Sequence, residues 1–328
     1  MQSELRKRLI EAFTDAGGEF LSGQHLAEIA GCSRTAVWKH IEELRKEGFV
    51  FEAVKRKGYK ILQTPEKVSA DEISLGLKTA FLGRTIHYEE SVGSTQKIAH
   101  RLVTDGVSDG TVVVAEEQTS GKGRMDRQWH SPKYSGVWMS VIVKPNLPPP
   151  RAPQLTLVAA VAVVQAIEEL TGLMPQIKWP NDILVGGKKV TGILTELQAD
   201  SDRIKAVIIG IGINVNQQHE DFPEELLHTA SSLAIESGKP ISRASLIQSV
   251  LSRLEKLYIT YLQNGFHPIK LLWESYAISI GKNIIARTLT GEIKGKALGI
   301  TEDGVLMIEQ EDGAVCQVYS ADILLEND

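Results

Sequence analysis

Cysteine is almost missing from this chain of 328 residues. Only Cys32 and Cys316 are present, far apart and in no paired motif. That argues against a disulfide scaffold or a structural zinc site and fits a reducing compartment. An excess of positive charge is missing too. Lys and Arg number 36 against 41 Asp and Glu, for a net charge of −5, so no overall positive field draws the protein to nucleic acid. Any such binding has to come from a local patch. A long apolar run is the third absence. The longest, Leu155–Ile167, reads as too short and too interrupted to span a membrane. The opening MQSELRKRLIEAF is charged throughout, unlike a signal peptide. These absences lead us to expect a soluble cytoplasmic protein with no membrane partner. Internal repeats and low-complexity tracts are absent as well, and a hydrophobic content of 42% suffices for two or three cored domains.

What is present falls into three blocks of an α+β protein. Residues 1–64 form the first. Leu5, Leu9 and Phe13 recur at helical spacing before Gly17-Gly18. Ser22 can cap a second helix carrying Leu26 and Ile29. Ser33 can cap a third, running through Glu47 with Val37, Ile41 and Leu44 inward. GFVFEAVKRKGYKIL then reads as a hairpin with a basic tip. Helix, helix–turn–helix and two-stranded wing is the order of a winged-helix DNA-binding domain, although any small three-helix unit would share parts of it. Ser33, Arg34, Thr35, Lys39 and His40 are the expected DNA-facing residues of the third helix, with Lys55, Arg56 and Lys57 on phosphates. Residues 1–62 carry eleven Lys and Arg against nine Asp and Glu. So weak a charge predicts that two copies pair to hold DNA.

Thr64-Pro65 through Ala70 reads as a linker. The second block, 71–280, mixes strands and helices. TIHYEE, TVVVAEE and GVWMSVIVKP read as strands, and Pro153–Leu170 as a buried helix ending at Thr171-Gly172. PQIKW, DILV, KKVTGILTELQ and RIKAVIIGIGINVN read as strands in series, with Gly186-Gly187 as a tight turn. Tight turns between successive strands predict an antiparallel or mixed sheet rather than a doubly wound one. Ser245–Tyr261 reads as an amphipathic helix. The third block, 281–328, is a series of short strands, expected as a small β-barrel.

Three stretches can carry chemistry. SGKGRMDRQWHSP, Ser120 to Pro132, follows a strand and is glycine-rich and basic. It is not a phosphate loop, since Glu116 and Gly123 stand where that motif needs Gly and Ser or Thr. Nor is GIGIN a dinucleotide fingerprint, as it lacks the third glycine. Its glycines let backbone approach a ligand, Arg124 can fork onto phosphate oxygens, and Trp129 offers an apolar wall. A solvated surface loop would have the same composition. In KWPNDILVGGKKVTG, Lys188 and Lys189 point to opposite faces, so at most one faces a site; periodicity leaves open which. Ser94-Thr95 at a helix start is either a plain cap or a polar cradle for a ligand head.

GSTQ, EEQTSGKGRMDRQWHSP, KWPNDILVGGKKVTGIL and GIGINVN occur in this order between a winged helix and a small β-domain. In this the chain resembles the bifunctional biotin–protein ligases that also repress biotin-synthesis genes. The resemblance implies a biotin/lipoate-ligase-like, class II synthetase-like central domain and the activity of a biotin–[acetyl-CoA-carboxylase] ligase. Biotin and ATP form biotinyl-5'-AMP with Mg²⁺, and biotin passes to a lysine of a biotin carboxyl carrier protein of acetyl-CoA carboxylase or another biotin enzyme. It also implies a homodimer on operator DNA, with biotinyl-5'-AMP as corepressor.

By the same resemblance Ser94, Thr95 and Gln118 hold the biotin head. Gly121, Lys122, Gly123 and Arg124 form the loop over biotin and the adenylate phosphate, beside Trp129. Lys189, rather than Lys188, serves the reacting carboxylate and phosphate, Gly192 gives a backbone contact and Asn214 reads the adenine. Asn181 and Asp182 line the site. Lys189, Arg124 and Asp182 are the expected catalytic residues, and Arg124, Arg127, Asn181, Asn214 and Lys189 the nucleotide-binding ones; no protein metal site is expected. The family commonly has arginine at Lys122 and a small residue at Asp126. No adenine-stacking residue is assigned after Asn216, Phe222 being a suggestion only. The alternatives are a ligand-sensing transcription factor without ligase activity and a lipoate or octanoate ligase.

Overall fold

The computed structural model describes residues 2–46, 49–54, 56–63, 68–200 and 203–325. Lys55, Glu47 and the first part of the expected linker lie outside them, as does the side chain of Asp126. The chain divides into two compact units, Met1–Gly76 and Leu77–Asp328.

In the first unit α1 (Gln2–Asp15) is followed by α2 (Gly23–Ala30) and α3 (Arg34–Lys46). Both expected caps form: Ser22 Oγ accepts from the His25 N–H and Ser33 Oγ from the Ala36 N–H. Gly31 ends α2 in the left-handed region, φ 67°. Leu9, Leu26, Val37, Ile41 and Leu44 are fully buried, and Phe13 meets Phe51 edge-on at 5.3 Å. β1 (Val50–Val54) and β2 (Gly58–Gln63) pair antiparallel as the wing, and Leu21 bridges to Tyr59 beside it. A short helix, α4 (Ala70–Leu75), follows where the sequence reading has linker and the start of the second block; it lies in the first unit.

The second unit carries a seven-stranded sheet. It comprises β3 (Ile86–Glu89), β4 (Val112–Ala115), β5 (Gly136–Val143), β6 (Gln176–Lys178), β7 (Asp182–Val185), β8 (Lys188–Asp200) and β9 (Arg203–Asn214). Their order is β3-β4-β5-β9-β8-β7-β6, and only β3 and β4 run parallel. The sheet is therefore mixed, as the tight turns predict. Gly186 and Gly187, at φ 57° and 80°, make the β7–β8 turn that only such backbone closes in two residues.

Helices cover both faces. Adjacent residues of β8 show this, since neighbours on a strand point to opposite sides. Glu196 accepts from Gln96 on α5 (Thr95–Thr104). Thr195 accepts from Thr156 on α6 (Gln154–Thr171). By length and composition the stretch Pro149–Thr171 could cross a membrane, more than Leu155–Ile167 alone suggests. Its apolar side chains are instead spent on the core: Leu155, Val158, Val161 and Val164 are fully buried. α6 packs against α8 (Arg243–Asn264) and α9 (His267–Tyr276), with α7 (Leu233–Ser237) preceding them. Glu255 of α8 accepts the backbone N–H groups of Ala80, Phe81 and Leu82 at 2.6–2.9 Å, which fixes the segment entering the sheet.

The expected C-terminal β-domain is a five-stranded antiparallel sheet of β10 (Asn283–Thr288), β11 (Gly291–Ile300), β12 (Leu306–Glu309), β13 (Val315–Val318) and β14 (Asp322–Leu325). Its order is β13-β12-β11-β10-β14.

Candidate functional site

A cavity of about 480 Å³ opens on the face of the large sheet that also carries α5. Its floor is made by glycine. Gly192 of β8 and Gly212 of β9 are direct cross-strand partners, and the indole of Trp129 lies over both. A Cβ on Gly192 would come within 2.8 Å of that ring, and one on Gly212 within 2.5 Å of Nε1. Glycine here admits a large side chain against backbone. The Lys189 Nζ sits 5.3 Å from the centroid of the Trp129 ring. Overpacking of this kind costs about 1–3 kcal/mol. Gly212→Ala is therefore expected to displace the indole and to raise the Kd for biotin, the ligand that the sequence resemblance implies, about tenfold. Titration calorimetry with biotin measures this, and an unchanged Kd would remove Trp129 from the pocket wall.

The start of α5 forms one end of the cavity. The plain-cap reading of Ser94 fails: it is the N-cap residue, yet its hydroxyl makes no cap hydrogen bond and is buried without a partner. Thr95 is tied down instead. Its N–H and its hydroxyl both donate to Gln118 Oε1, at 2.9 and 3.1 Å, and it accepts from the Ser140 hydroxyl. Gln118 Nε2 in turn donates to Ser131 Oγ. Gln96 lines the same wall, with Nε2 held by Leu194 O and Glu196 and Oε1 buried without a partner. Trp129 Nε1 is the third such atom. Buried polar groups are nearly always paired. A hydroxyl, a carbonyl oxygen and an indole N–H around one cavity can take a ligand that both donates and accepts hydrogen bonds.

The other end is cationic. Lys122, Arg124, Arg127, Lys178 and Lys189 line the cavity against two carboxylates, Asp182 and Asp322. The basic stretch folds as a small hairpin: Lys122 bridges to Gln128, the Gly123 N–H donates to Arg127 O, and the Trp129 N–H donates to Gly121 O. Gly121 is buried behind the hairpin rather than lining the cavity, and a Cβ there would meet Trp129 O at 2.4 Å. Arg124 donates to Asn181 Oδ1 at 3.2 Å and to the Ser320 hydroxyl at 2.6 Å. Burial lowers its guanidinium pKa, while Asp182 and Asp322 act the other way. Arg127 pairs with Asp322, whose carboxyl that hydrogen bond holds below its ordinary value. The sign follows: the tie is complete above the ordinary aspartate range and is lost as pH falls through the depressed value.

Lys189 and Lys188 separate as strand geometry requires. Lys189 lines the cavity, with Nζ 2.7 Å from Asp182 Oδ1, whereas Lys188 is not among the lining residues. Asn181 donates to Ile193 O. Asn214 lines the cavity but its amide is engaged, donating to Ser231 O and accepting from Gln217. Phe222, Leu226, His228, Thr229 and Ala230 complete the wall. Apart from Phe222 the sequence reading does not include them, because no motif marks a segment held by backbone bonds to Lys189 on either side of Ala230.

In the first unit, Arg34, Thr35 and Lys39 are exposed on α3 as expected, and Ser33 is exposed at its cap. His40 requires a correction. It is buried, at 8% exposure, with Nδ1 2.9 Å from Glu43 Oε2, because a residue three after Val37 and four before Leu44 shares their inward stripe. Arg56 (φ 70°) and Lys57 are exposed at the wing tip, and Lys57 and Lys60 each lie 5.9 Å from the Phe20 ring centroid. An exposed residue of α3 that the sequence reading misses is Trp38.

Comparison with known proteins agrees with this geometry. The Biotin/lipoate A/B protein ligase family matches residues 88–214, an HTH domain matches 6–60, and the Biotin protein ligase C terminal domain matches 279–325. The chain is 57% identical to the bifunctional ligase/repressor BirA of Bacillus spizizenii, over 99% of this chain and 100% of that one. It is 28% identical to the Escherichia coli protein of the same name, over 95% of each. Among solved structures, the biotin protein ligase from Aquifex aeolicus in complex with biotin and ATP superposes with a TM-score of 0.64. That match has 34% identity and covers 75% of this chain and all of that one.

Proposed function

The chain belongs to the family of bifunctional biotin ligase/repressors, and from that premise we propose how its own residues carry both activities. It is an ATP-dependent biotin–protein ligase, a biotin–[acetyl-CoA-carboxylase] ligase, and a DNA-binding repressor. The observation that carries the choice of substrate is the set of unpartnered polar atoms on Ser94, Gln96 and Trp129. A cyclic urea offers two N–H donors and one carbonyl acceptor to such a set, whereas a dithiolane ring offers neither. This favours biotin over lipoate. The cationic end disfavours a sensor without chemistry, which has no need of five basic residues around a phosphate-sized space.

In the first step a biotin carboxylate oxygen attacks the α-phosphorus of ATP, the bond to the β-phosphate oxygen breaks, and pyrophosphate leaves. Lys189 and Arg124 neutralise the oxygens that gather charge, and Asp182 orients the Lys189 ammonium. Arg127, Asn181 and Asn214 serve the nucleotide end, and Lys122 and Gly123 the loop above it. In the second step the amine of an acceptor lysine attacks the biotinyl carbonyl, AMP departs, and the nitrogen loses a proton as the amide forms. The acceptor is a biotin carboxyl carrier protein of acetyl-CoA carboxylase or of another biotin enzyme. Among the described residues no group of three or more His, Cys, Asp or Glu could hold a metal. Mg²⁺ would enter with the ATP phosphates as part of the substrate.

Biotinyl-5'-AMP is also the corepressor, and the chain acts as a homodimer in the cytoplasm. Two thiols in no disulfide support that compartment. The weak charge of the winged unit supports the pairing, since two copies on a two-fold site add their contacts. Two measurements test the reading. Exchange of labelled pyrophosphate into ATP is expected with biotin and not with lipoate; the reverse preference removes the substrate assignment. Affinity for operator DNA is expected to rise when biotin and ATP are both supplied; equal affinity leaves a ligase with a DNA-binding domain and no biotin switch.

A further inference from the structure

Trp38 is the exposed tryptophan of this protein. It is 54% exposed on α3, while Trp138 and Trp273 are fully buried, Trp179 is 3% exposed and Trp129 is half-buried. It is not a core residue displaced to the surface: the inward stripe of α3 is complete without it, with Val37, Ile41 and Leu44 at 0%. Helical spacing places Trp38 one turn after Arg34 and Thr35, both exposed, and Lys39, one turn after Thr35, is exposed at the edge of the same face. The helix start there carries no acidic residue in its first turn. Glu42 and Glu43 follow a turn later, and each is engaged within α3, with Arg45 and with His40. The N-terminal half of α3 is thus a cationic surface with one large indole at its centre. What marks Trp38 is its place: an indole among exposed cations on the helix expected to face DNA.

We infer that Trp38 is a base-reading residue of the repressor: its indole packs against thymine 5-methyl groups in the DNA major groove, while Arg34 and Lys39 beside it engage phosphates or base edges. This rests on the repressor half of the function proposed above. The occupant follows from charge and chemistry. A cationic helix end fits a polyanion, and thymine carries the apolar group that the major groove offers. Such a contact adds affinity without releasing counterions, so it is separable from the phosphate contacts around it.

The test uses the full chain with biotin and ATP, and a duplex that the wild-type protein selects from a randomised pool. Trp38→Ala is expected to weaken binding to that duplex about 10-fold or more, with an unchanged dependence on salt and little change on an unrelated duplex. Replacing a contacted thymine by uracil weakens wild-type binding about fourfold per lost methyl and leaves Trp38→Ala unaffected. Trp38→Phe retains part of the affinity, and the difference between its fluorescence and that of the wild type changes on adding DNA. Biotin transfer stays at the wild-type level in both variants, and their retained binding to the unrelated duplex shows that the winged unit folds. Equal loss on both duplexes, an altered salt dependence, or uracil effects that persist in Trp38→Ala would overturn the inference. If the wild type selects no duplex at all, the repressor reading itself fails, an outcome distinct from the preceding ones.

Discussion

Lys189→Ala is expected to slow biotin-dependent pyrophosphate exchange by about 100- to 1,000-fold, the loss typical of removing one donor to a transition-state oxyanion, about 3–4 kcal/mol. Lys188→Ala is expected to stay near wild type. The two side chains are neighbours in sequence and separated by the sheet: one lines the cavity 2.7 Å from Asp182 and above Trp129, and the other does not line it. The cost should fall on the rate rather than on biotin affinity, since the ammonium serves charge that grows only as the anhydride forms. Single-turnover adenylation at saturating biotin checks this, and equal rates in the two variants would remove Lys189 from the chemistry.

Glu116→Ala is expected to destabilise the second unit by about 3–5 kcal/mol, as loss of one partner from a buried ion pair does. Arg243, at the start of α8, donates to Glu116 at the end of β4 at 2.7 Å and to Gly136 O at 3.1 Å, with 4% and 1% of the two side chains exposed. Removing the carboxylate leaves a guanidinium that water cannot reach. Replacing both partners by apolar residues of similar volume is expected to restore most of the loss. Denaturant unfolding of the two variants distinguishes loss of the buried ion pair from a simple packing defect. A double replacement as unstable as the single one would contradict the account.

Much of this was legible in the residues. Caps at Ser22 and Ser33, the turn at Gly186-Gly187 and the apolar helix around Val161 are local signals, and each appears within a residue or two of its expected place. The exposed face of α3 was legible except at His40 and Trp38. There, reading residue type ahead of helical phase put a polar side chain outside and overlooked an apolar one that is outside. Helices α4 and α9 escaped because neither is announced by a long periodic pattern. Most of the cavity's charged residues were visible within motifs, Asp322 excepted, but their partners were not. Nothing in the sequence near Arg124 points to Ser320, 196 residues away, nor anything near Lys189 to the Thr229–Ser231 segment that flanks it. Long-range hydrogen bonds leave no period, and the buried hydroxyl of Ser94 looks like any other helix cap until its missing partner is seen.

The fastening of the basic hairpin to Ser320 and Asp322 also sets an order of events during synthesis. A ribosome delivers the chain from its N-terminus at about 5–20 residues per second, and domains fold as they emerge. The winged unit and the large sheet are available well before residues 320 and 322. Until those two leave the exit tunnel, Arg124 and Arg127 lack their Ser320 and Asp322 partners, and the hairpin keeps the Arg124–Asn181 hydrogen bond. A nascent chain therefore holds the folded large sheet and its cavity before the basic hairpin is fastened. A chain cut before Ser320 would resemble the intact one in its large sheet and differ from it at the basic hairpin.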